Sequence, residues 1–281
     1  MFYDMHLHST FSADGKSTLD EYAALRDGGT GTVSCSPAGY AICPPVPHLG
    51  FAEHIDFLPE CGSFEYMDPD EYISAVCSFR ERGFDFYAGA EIDYVKQVEA
   101  DISVHLKQYS YDYTICSVHM VNGLSISDRN FPPEGTDAGY LLGVAADYYR
   151  ELEYGIKAEM FDVLGHVGVF VRYLPREVLG DRRLSNFIRE AELEIAKLCA
   201  ASGMIVEVNT SGLFSPYAGL LPGVEFFKNY HAFGGRLVCT GSDAHRAADA
   251  ARGFGEAAGA LKAAGFEYIT LPWNREKLVN L

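Results

Sequence analysis

The chain reads as an α/β barrel, and three observations carry that reading. Short β-rich runs alternate with helical stretches seven times without a break, which favours a parallel sheet. The length, 281 residues, suits closing that sheet into one barrel domain spanning 1–281. Ionisable residues recur at the ends of the β-rich runs, where the mouth of such a barrel lies.

The expected strands are residues 2–6, 49–54, 84–92, 111–119, 163–167, 204–209 and 237–240; a further apolar run at 268–271 is expected to extend or close the sheet. Between them the helices are signposted. Thr18 and Glu21 form a capping box, with Gly28 as a stop. Asp68 followed by Pro69 reads as an N-cap and first-turn proline, with Gly83 ending that helix. Leu141, Leu142, Ala145, Tyr149 and Leu152 share one helical face, as do Ile188, Ala191, Ile195 and Leu198. One segment breaks the rhythm. Residues 29–48 carry Pro37, Pro44, Pro45 and Pro47 among several glycines and read as a long loop inserted in the barrel, either a binding element or a poorly ordered insertion.

Composition narrows the function classes. The chain is 48% hydrophobic and 22% charged, a globular balance, and no apolar run approaches the length of a membrane span. The first ten residues have neither the basic region nor the apolar run of a signal peptide, so a cytoplasmic location is expected. A net charge of −17 argues against nucleic acid or an anionic membrane as partner, but not against a small anionic substrate beside bound cations. The seven cysteines form no CxxC pair; Cys35 and Cys43 lack the two partners a zinc knuckle needs, and buried reduced thiols are the expectation.

His6 and His8 form an HxH pair at the end of the first strand, and residues two apart on a strand face the same way. Alone, such a pair reads more readily as two surface histidines. Repetition changes that balance, because later strands also end in metal-type ligands: His54, Glu91, His119, His166, Asp243 and His245. The remaining histidines, His48, His105 and His231, fall elsewhere. Asp14 reads on its own as a turn residue before Gly15. Mixed imidazole and carboxylate donors suit Zn, Mn or Fe, and the set exceeds the needs of one tetrahedral ion, so two or three divalent ions are implied.

These motifs resemble the PHP (polymerase and histidinol phosphatase) superfamily over nearly the whole chain: HLH at 6–8, ADG at 13–15, EH at 53–54, GAEID at 89–93, SVH at 117–119, GH at 165–166, EVNTSG at 207–212 and GSDAH at 241–245. The branch they look most like is the monofunctional histidinol-phosphate phosphatases. The resemblance implies a distorted (β/α)7 barrel with a trinuclear site. Carried over by motif, His6, His8, Glu91 and Asp243 would hold one ion, Glu91, His119 and His166 a second, and Asp14, His54 and His245 a third. It further implies that Arg172 binds substrate phosphate. Two departures stand out: the long 29–48 segment, and Phe214 where that branch commonly has a phosphate-gripping arginine. Arg246, beside His245, is the candidate to take that arginine's place.

The expected chemistry is hydrolysis of a small phosphorylated alcohol, L-histidinol phosphate first, with hydroxide held between two cations as nucleophile. Glu91, Asp243 and His245 are the candidate catalytic residues; Asp243, His245 and Asp128 are each conceivable as general acid. Asp93 and Asn209 read either as groups that orient ligands or as plain strand-end caps. A second reading keeps the site and changes the substrate to a nucleotide or cyclic phosphate, with Phe214 stacking on a base. A third, a metal-binding regulatory or exonuclease-like domain, lacks the basic groove that a nucleic acid strand requires.

Overall fold

A computed structural model describes residues 3–25, 48–128, 130–215 and 219–281, with only the backbone described at Arg176. The 29–48 loop therefore lies outside the described residues except for its last member, as do Gly28, Cys35 and Cys43.

Seven parallel strands form one sheet in sequential order: β1 (Tyr3–Leu7), β2 (His48–Ile55), β3 (Asp85–Asp93), β4 (Tyr113–Ser117), β5 (Val163–Leu164), β6 (Ile205–Asn209) and β7 (Val238–Gly241). The sheet curls until its edges meet. Just past the ends of β1 and β7, Leu7 bridges Ala244 in parallel, the His8 amide donates to the Ala244 carbonyl at 3.0 Å, and the Asp243 amide donates to the His6 carbonyl at 2.8 Å. The distorted seven-stranded barrel is thus the observed architecture. Its strands are buried on both faces, as parallel strands wrapped by helices must be.

The helices follow their sequence signals. In α1 (Leu19–Ala23) both halves of the Thr18–Glu21 capping box are formed. In α2 (Pro69–Glu81) the Asp68 carboxylate accepts from the amides of Asp70 and Glu71, and Gly83 takes a positive φ beyond the C-terminus. After α3 (Glu99–Gln108), α4 (Ala138–Lys157) buries Leu141, Ala145, Tyr149 and Leu152. Asp181 caps α5 (Arg182–Ser202) and Gly203 ends it with a left-handed residue. Each such N-cap is worth about 1 kcal/mol. Helices α6 (Val224–Ala232) and α7 (Phe254–Ala263) complete the surround.

The barrel interior is plugged by Tyr113 of β4, whose hydroxyl donates to the Met5 carbonyl at 2.7 Å. Gly89 on β3 makes the room, since a Cβ there would run into the Tyr113 ring. The plug closes the interior below the strand ends and leaves their C-terminal tips as the mouth.

Three expectations are corrected. The run Tyr268–Leu271 neither extends nor closes the barrel; as β8 it pairs antiparallel with β9 (Asn274–Asn280) in a separate two-stranded sheet. The run expected at 111–119 is strand only from Tyr113 to Ser117, and a small hairpin follows, Met120–Val121 against Leu124–Ser125. Asn122 and Gly123, both at positive φ, make its turn. The run at 163–167 is strand for Val163–Leu164 alone: Gly168, at φ 84°, turns the chain into the 3-10 segment Val169–Tyr173 that carries Arg172.

Among the described residues no helix is long and apolar enough to cross a membrane. Cys116, Cys199 and Cys239 are buried free thiols, and Cys61 and Cys77 are free and partly exposed.

Candidate metal centre

The strand tips bring all of the expected ligands into one cluster. Glu91, the seventh residue of β3, lies at its centre, fully buried among five imidazoles contributed by four other chain segments. Its Oε2 lies 3.2 Å from His6 Nε2, 3.5 Å from His8 Nε2 and 2.9 Å from His54 Nδ1. Its Oε1 lies 2.7 Å from His166 Nε2 and 3.3 Å from His119 Nε2, and those two ring nitrogens are 3.3 Å apart. Asp243 Oδ1 is 3.3 Å from His8 Nε2. At the rim, Asp14 lies 2.9 Å from His245 Nε2 and 3.6 Å from His54 Nε2.

Asp243 is held at φ 54°, an uncommon backbone state for a residue with a Cβ, costing about 1 kcal/mol. The hydrogen bond from its backbone N–H to the His6 carbonyl holds it there, which turns the carboxylate into the mouth.

The electrostatics are those of a site built for cations. Burial pushes the Glu91 carboxyl up, yet His6, His119 and His54 together hold it well below the usual carboxylate range. Burial likewise acts on Asp243, where the His8 hydrogen bond and the charges of His6 and Arg172 prevail and hold it low. His6 is drawn well above the ordinary imidazole range against the effect of burial by Glu207 and Glu91, whereas burial and the neighbouring His54 and His245 drive His8 well below it.

The donor set fits transition-metal ions by its chemistry and by its orphans. His6 Nε2, His8 Nε2, Glu91 Oε2 and His166 Nδ1 are buried polar atoms without hydrogen-bond geometry to any partner. Buried polar atoms are costly to leave so, and three of these face one another across the cluster. Overlapping trios within it, including His6–His8–Asp243, His54–Glu91–His119 and His8–His54–His245, have ligand atoms within 4.8 Å of one another.

Three buried carboxylates that the sequence reading passed over hold the cluster in shape. Glu207 Oε1 lies 2.8 Å from His6 Nδ1, and Oε2 accepts the His166 amide at 2.8 Å. Glu53 accepts from the Ser9 amide at 3.0 Å and from the Ser9 and Ser12 hydroxyls at 2.6 Å each, so the loop after β1 is tied to β2. Asp4 accepts from the Ser242 hydroxyl at 2.6 Å and the Ala251 amide at 2.8 Å. Burial pushes the Asp4 carboxyl up to about 6 despite these bonds. The signal for all three was an acid inside an apolar strand, as in IVEVN of β6. Asp93 and Asn209 do orient neighbours: Asp93 accepts the His119 amide at 2.6 Å, and Asn209 donates to Glu207 Oε1 at 3.2 Å.

The arginines divide. Arg172 reaches the mouth, donating to Ser211 Oγ at 2.7 Å and Asp243 Oδ2 at 3.3 Å. Arg246 is exposed and makes no ion pair with the cluster among the described residues. Phe214 is met by another cation, the Arg252 guanidinium, 4.1 Å from its ring centroid. Asp128 accepts the Asn130 amide at 2.6 Å, within its own turn. His48, His105 and His231 lie outside the cluster, against Tyr3, Tyr111 and Phe266.

The chain is similar to known proteins in sequence and in fold. A family model described as PHP domain matches residues 41–211, more than half of the chain. A probable histidinol-phosphatase of Thermotoga maritima is 26% identical over 279 residues, covering 99% of this chain and 98% of its own. A histidinol-phosphatase of Lactococcus lactis is 24% identical, with 95% and 92% covered. A crystal structure of histidinol phosphate phosphatase from Lactococcus lactis, complexed with zinc, L-histidinol and phosphate, superposes with a TM-score of 0.76 at 20% identity, covering 98% of this chain and 99% of that one.

Proposed function

The chain belongs to the PHP domain family, and from that premise we propose that it is a metal-dependent phosphomonoesterase hydrolysing L-histidinol phosphate to L-histidinol and phosphate. The observation that carries the proposal is Glu91: one buried carboxylate within 3.5 Å of the imidazoles of His6, His8, His54, His119 and His166. The relatives of near-equal length support the substrate, being named histidinol-phosphatases. The Lactococcus structure, with zinc and L-histidinol bound, supports both metal and substrate.

His6, His8, Glu91 and Asp243 would hold one divalent ion, Glu91, His119 and His166 a second, and Asp14, His54 and His245 a third, with zinc, manganese or iron suited to these donors. Such ions, when bound, neutralise phosphoryl charge and make a water nucleophilic at neutral pH. The protein's own groups do the rest. Glu91 spends one oxygen on each of two imidazole sets and so fixes their separation. Asp243 presents Oδ1 to His8 and Oδ2 to Arg172, which ties the ligand cluster to the cation that receives phosphate. Arg172, already oriented by Ser211 and Tyr173, offers a planar fork to phosphoryl oxygens and adds positive charge at the mouth of a chain whose net charge is −17. His245 lies at the rim of the mouth, partly exposed and 2.9 Å from Asp14.

A nucleotide substrate would need a ring face for its base, and at Phe214 the Arg252 guanidinium takes up one. The test is phosphate release, after metal analysis, from L-histidinol phosphate, AMP and a cyclic nucleotide. Histidinol phosphate should lead in kcat/KM by about tenfold or more, the discrimination that a site built around one substrate supplies. Faster release from AMP overturns the assignment.

A further inference from the structure

A cavity of about 320 Å³ lies behind the segment that carries His166 and Arg172. Val167, Gly168 and Val171 form one wall, Leu184, Ile188 and Glu192 of α5 another, and Leu220–Gly223 a third. None of the metal-type ligands lines it. The walls are apolar except for Ser185 and Glu192, and Glu192 has a single described side-chain partner, the Tyr149 hydroxyl at 3.5 Å. No cation among the described residues pairs with it. A carboxylate set into an apolar cavity without a counter-ion is a costly arrangement for the fold alone, and the volume suits a small organic molecule.

We infer that this cavity is an effector site for a small organic cation, a primary ammonium on an apolar body, with Glu192 as its counter-ion. The apolar body would rest on Val167, Val171, Leu184, Ile188 and Leu221, and the ammonium would supply the charge that Glu192 lacks. Burial already pushes the Glu192 carboxyl up to about 7, and a bound cation would bring it down again. Two walls lead directly to the metal centre. His166 and Arg172 flank the first on the same short segment. In the third, Leu221 exchanges both backbone hydrogen bonds with Asn209, at 2.9 and 3.0 Å, and Asn209 in turn donates to Glu207. A ligand that shifts either wall therefore shifts the groups that orient ligands and phosphate.

The test compares 2-phenylethylamine with the near-isosteric neutral 2-phenylethanol at about pH 8, by calorimetry on the metal-loaded protein and on Glu192→Gln. The wild type should bind the amine about tenfold more tightly than the alcohol, as one charge-assisted hydrogen bond predicts, and Glu192→Gln should lose the difference. The amine should also change kcat or KM of the wild type by about twofold or more and leave Glu192→Gln unchanged. Equal binding of amine and alcohol overturns the inference. So does amine binding that survives Glu192→Gln, or binding that moves neither kinetic constant. A Glu192→Gln variant whose KM rises about tenfold without amine also overturns it, by moving the cavity into the substrate site. The binding arm needs no substrate, and the kinetic arm accepts any phosphate ester that the protein turns over, so failure of the histidinol assignment is read separately.

Discussion

Glu207 joins two of the proposed ligands, from different strands: one oxygen lies 2.8 Å from His6 Nδ1 and the other accepts the His166 amide at 2.8 Å. The first contact fixes the ring so that Nε2 faces Glu91, and the second sets where β5 ends. Replacing Glu207 by Gln keeps the volume and removes the charge. Metal affinity should fall by about 10–100-fold, as expected for a group that orients a ligand. Metal titration with circular dichroism as a control checks it; wild-type affinity would remove Glu207 from this role.

Glu91→Gln and His119→Ala should each lower kcat/KM by about a thousandfold while leaving the fold largely intact, because residues at the barrel mouth serve chemistry more than packing. Steady-state kinetics at matched metal content decides. Near wild-type turnover in either variant would end the metal-centre assignment.

Arg172→Lys preserves charge and loses the fork, whose Nη1 donates to Ser211 and Asp243 and whose Nη2 donates to Tyr173. A drop of about tenfold or more in kcat/KM is expected, since a lysine cannot reproduce a two-point contact. The same drop with an uncharged ester of the same alcohol would show that the arginine does not act on phosphate.

Chelation should destabilise the protein. The cluster packs Glu91, Glu207 and Asp243 beside mutually crowded imidazoles, and cations bound to the folded state alone add about 2.7 kcal/mol at a hundredfold excess over Kd. Scanning calorimetry with and without chelator should show Tm lowered by several degrees and restored by zinc or manganese. An unchanged Tm argues that no ion is resident.

Glu192 gives a pH dependence of known sign. Its carboxyl, raised by burial from 4.5 to about 7, binds more protons in the folded state than in the unfolded one between those values. Its contribution to stability is fully present below about 4.5 and is lost as pH rises toward 7. Glu192→Gln should therefore gain on the wild type between pH 5 and about 8, measured as the difference in urea midpoint. A difference that stays constant, or runs the other way, contradicts the burial argument.

The barrel and the side chains clustered at its mouth were legible because both leave periodic marks. Parallel strands buried on two faces are apolar runs, and a mouth built from their tips repeats a metal-type side chain at the end of every strand but β6, from His6 to His245. What holds the ligands was harder to read. Glu53, Glu207 and Asp4 act by accepting amide and hydroxyl protons from residues far along the chain, up to 247 positions for Asp4 and Ala251, and nothing local marks such a partner. Sheet edges were also misjudged. Tyr268–Leu271 has the composition of a barrel strand, but its partner Asn274–Asn280 is polar and exposed, so the hairpin that removes it from the barrel left no apolar pattern. The Asn122–Gly123 turn did carry a hairpin signal, masked by the apolar run leading into it.

Asp14 sits at the rim with its side chain 58% exposed, while His6, His8 and Glu91 are wholly shut off from solvent. Water can reach the Asp14–His54–His245 corner without any strand moving, whereas the deeper donors lie behind it. For ions held as proposed, exchange should be ordered in time, the outermost leaving first and returning last, so that metal analysis after a brief, mild extraction should find a protein emptied only at its threshold.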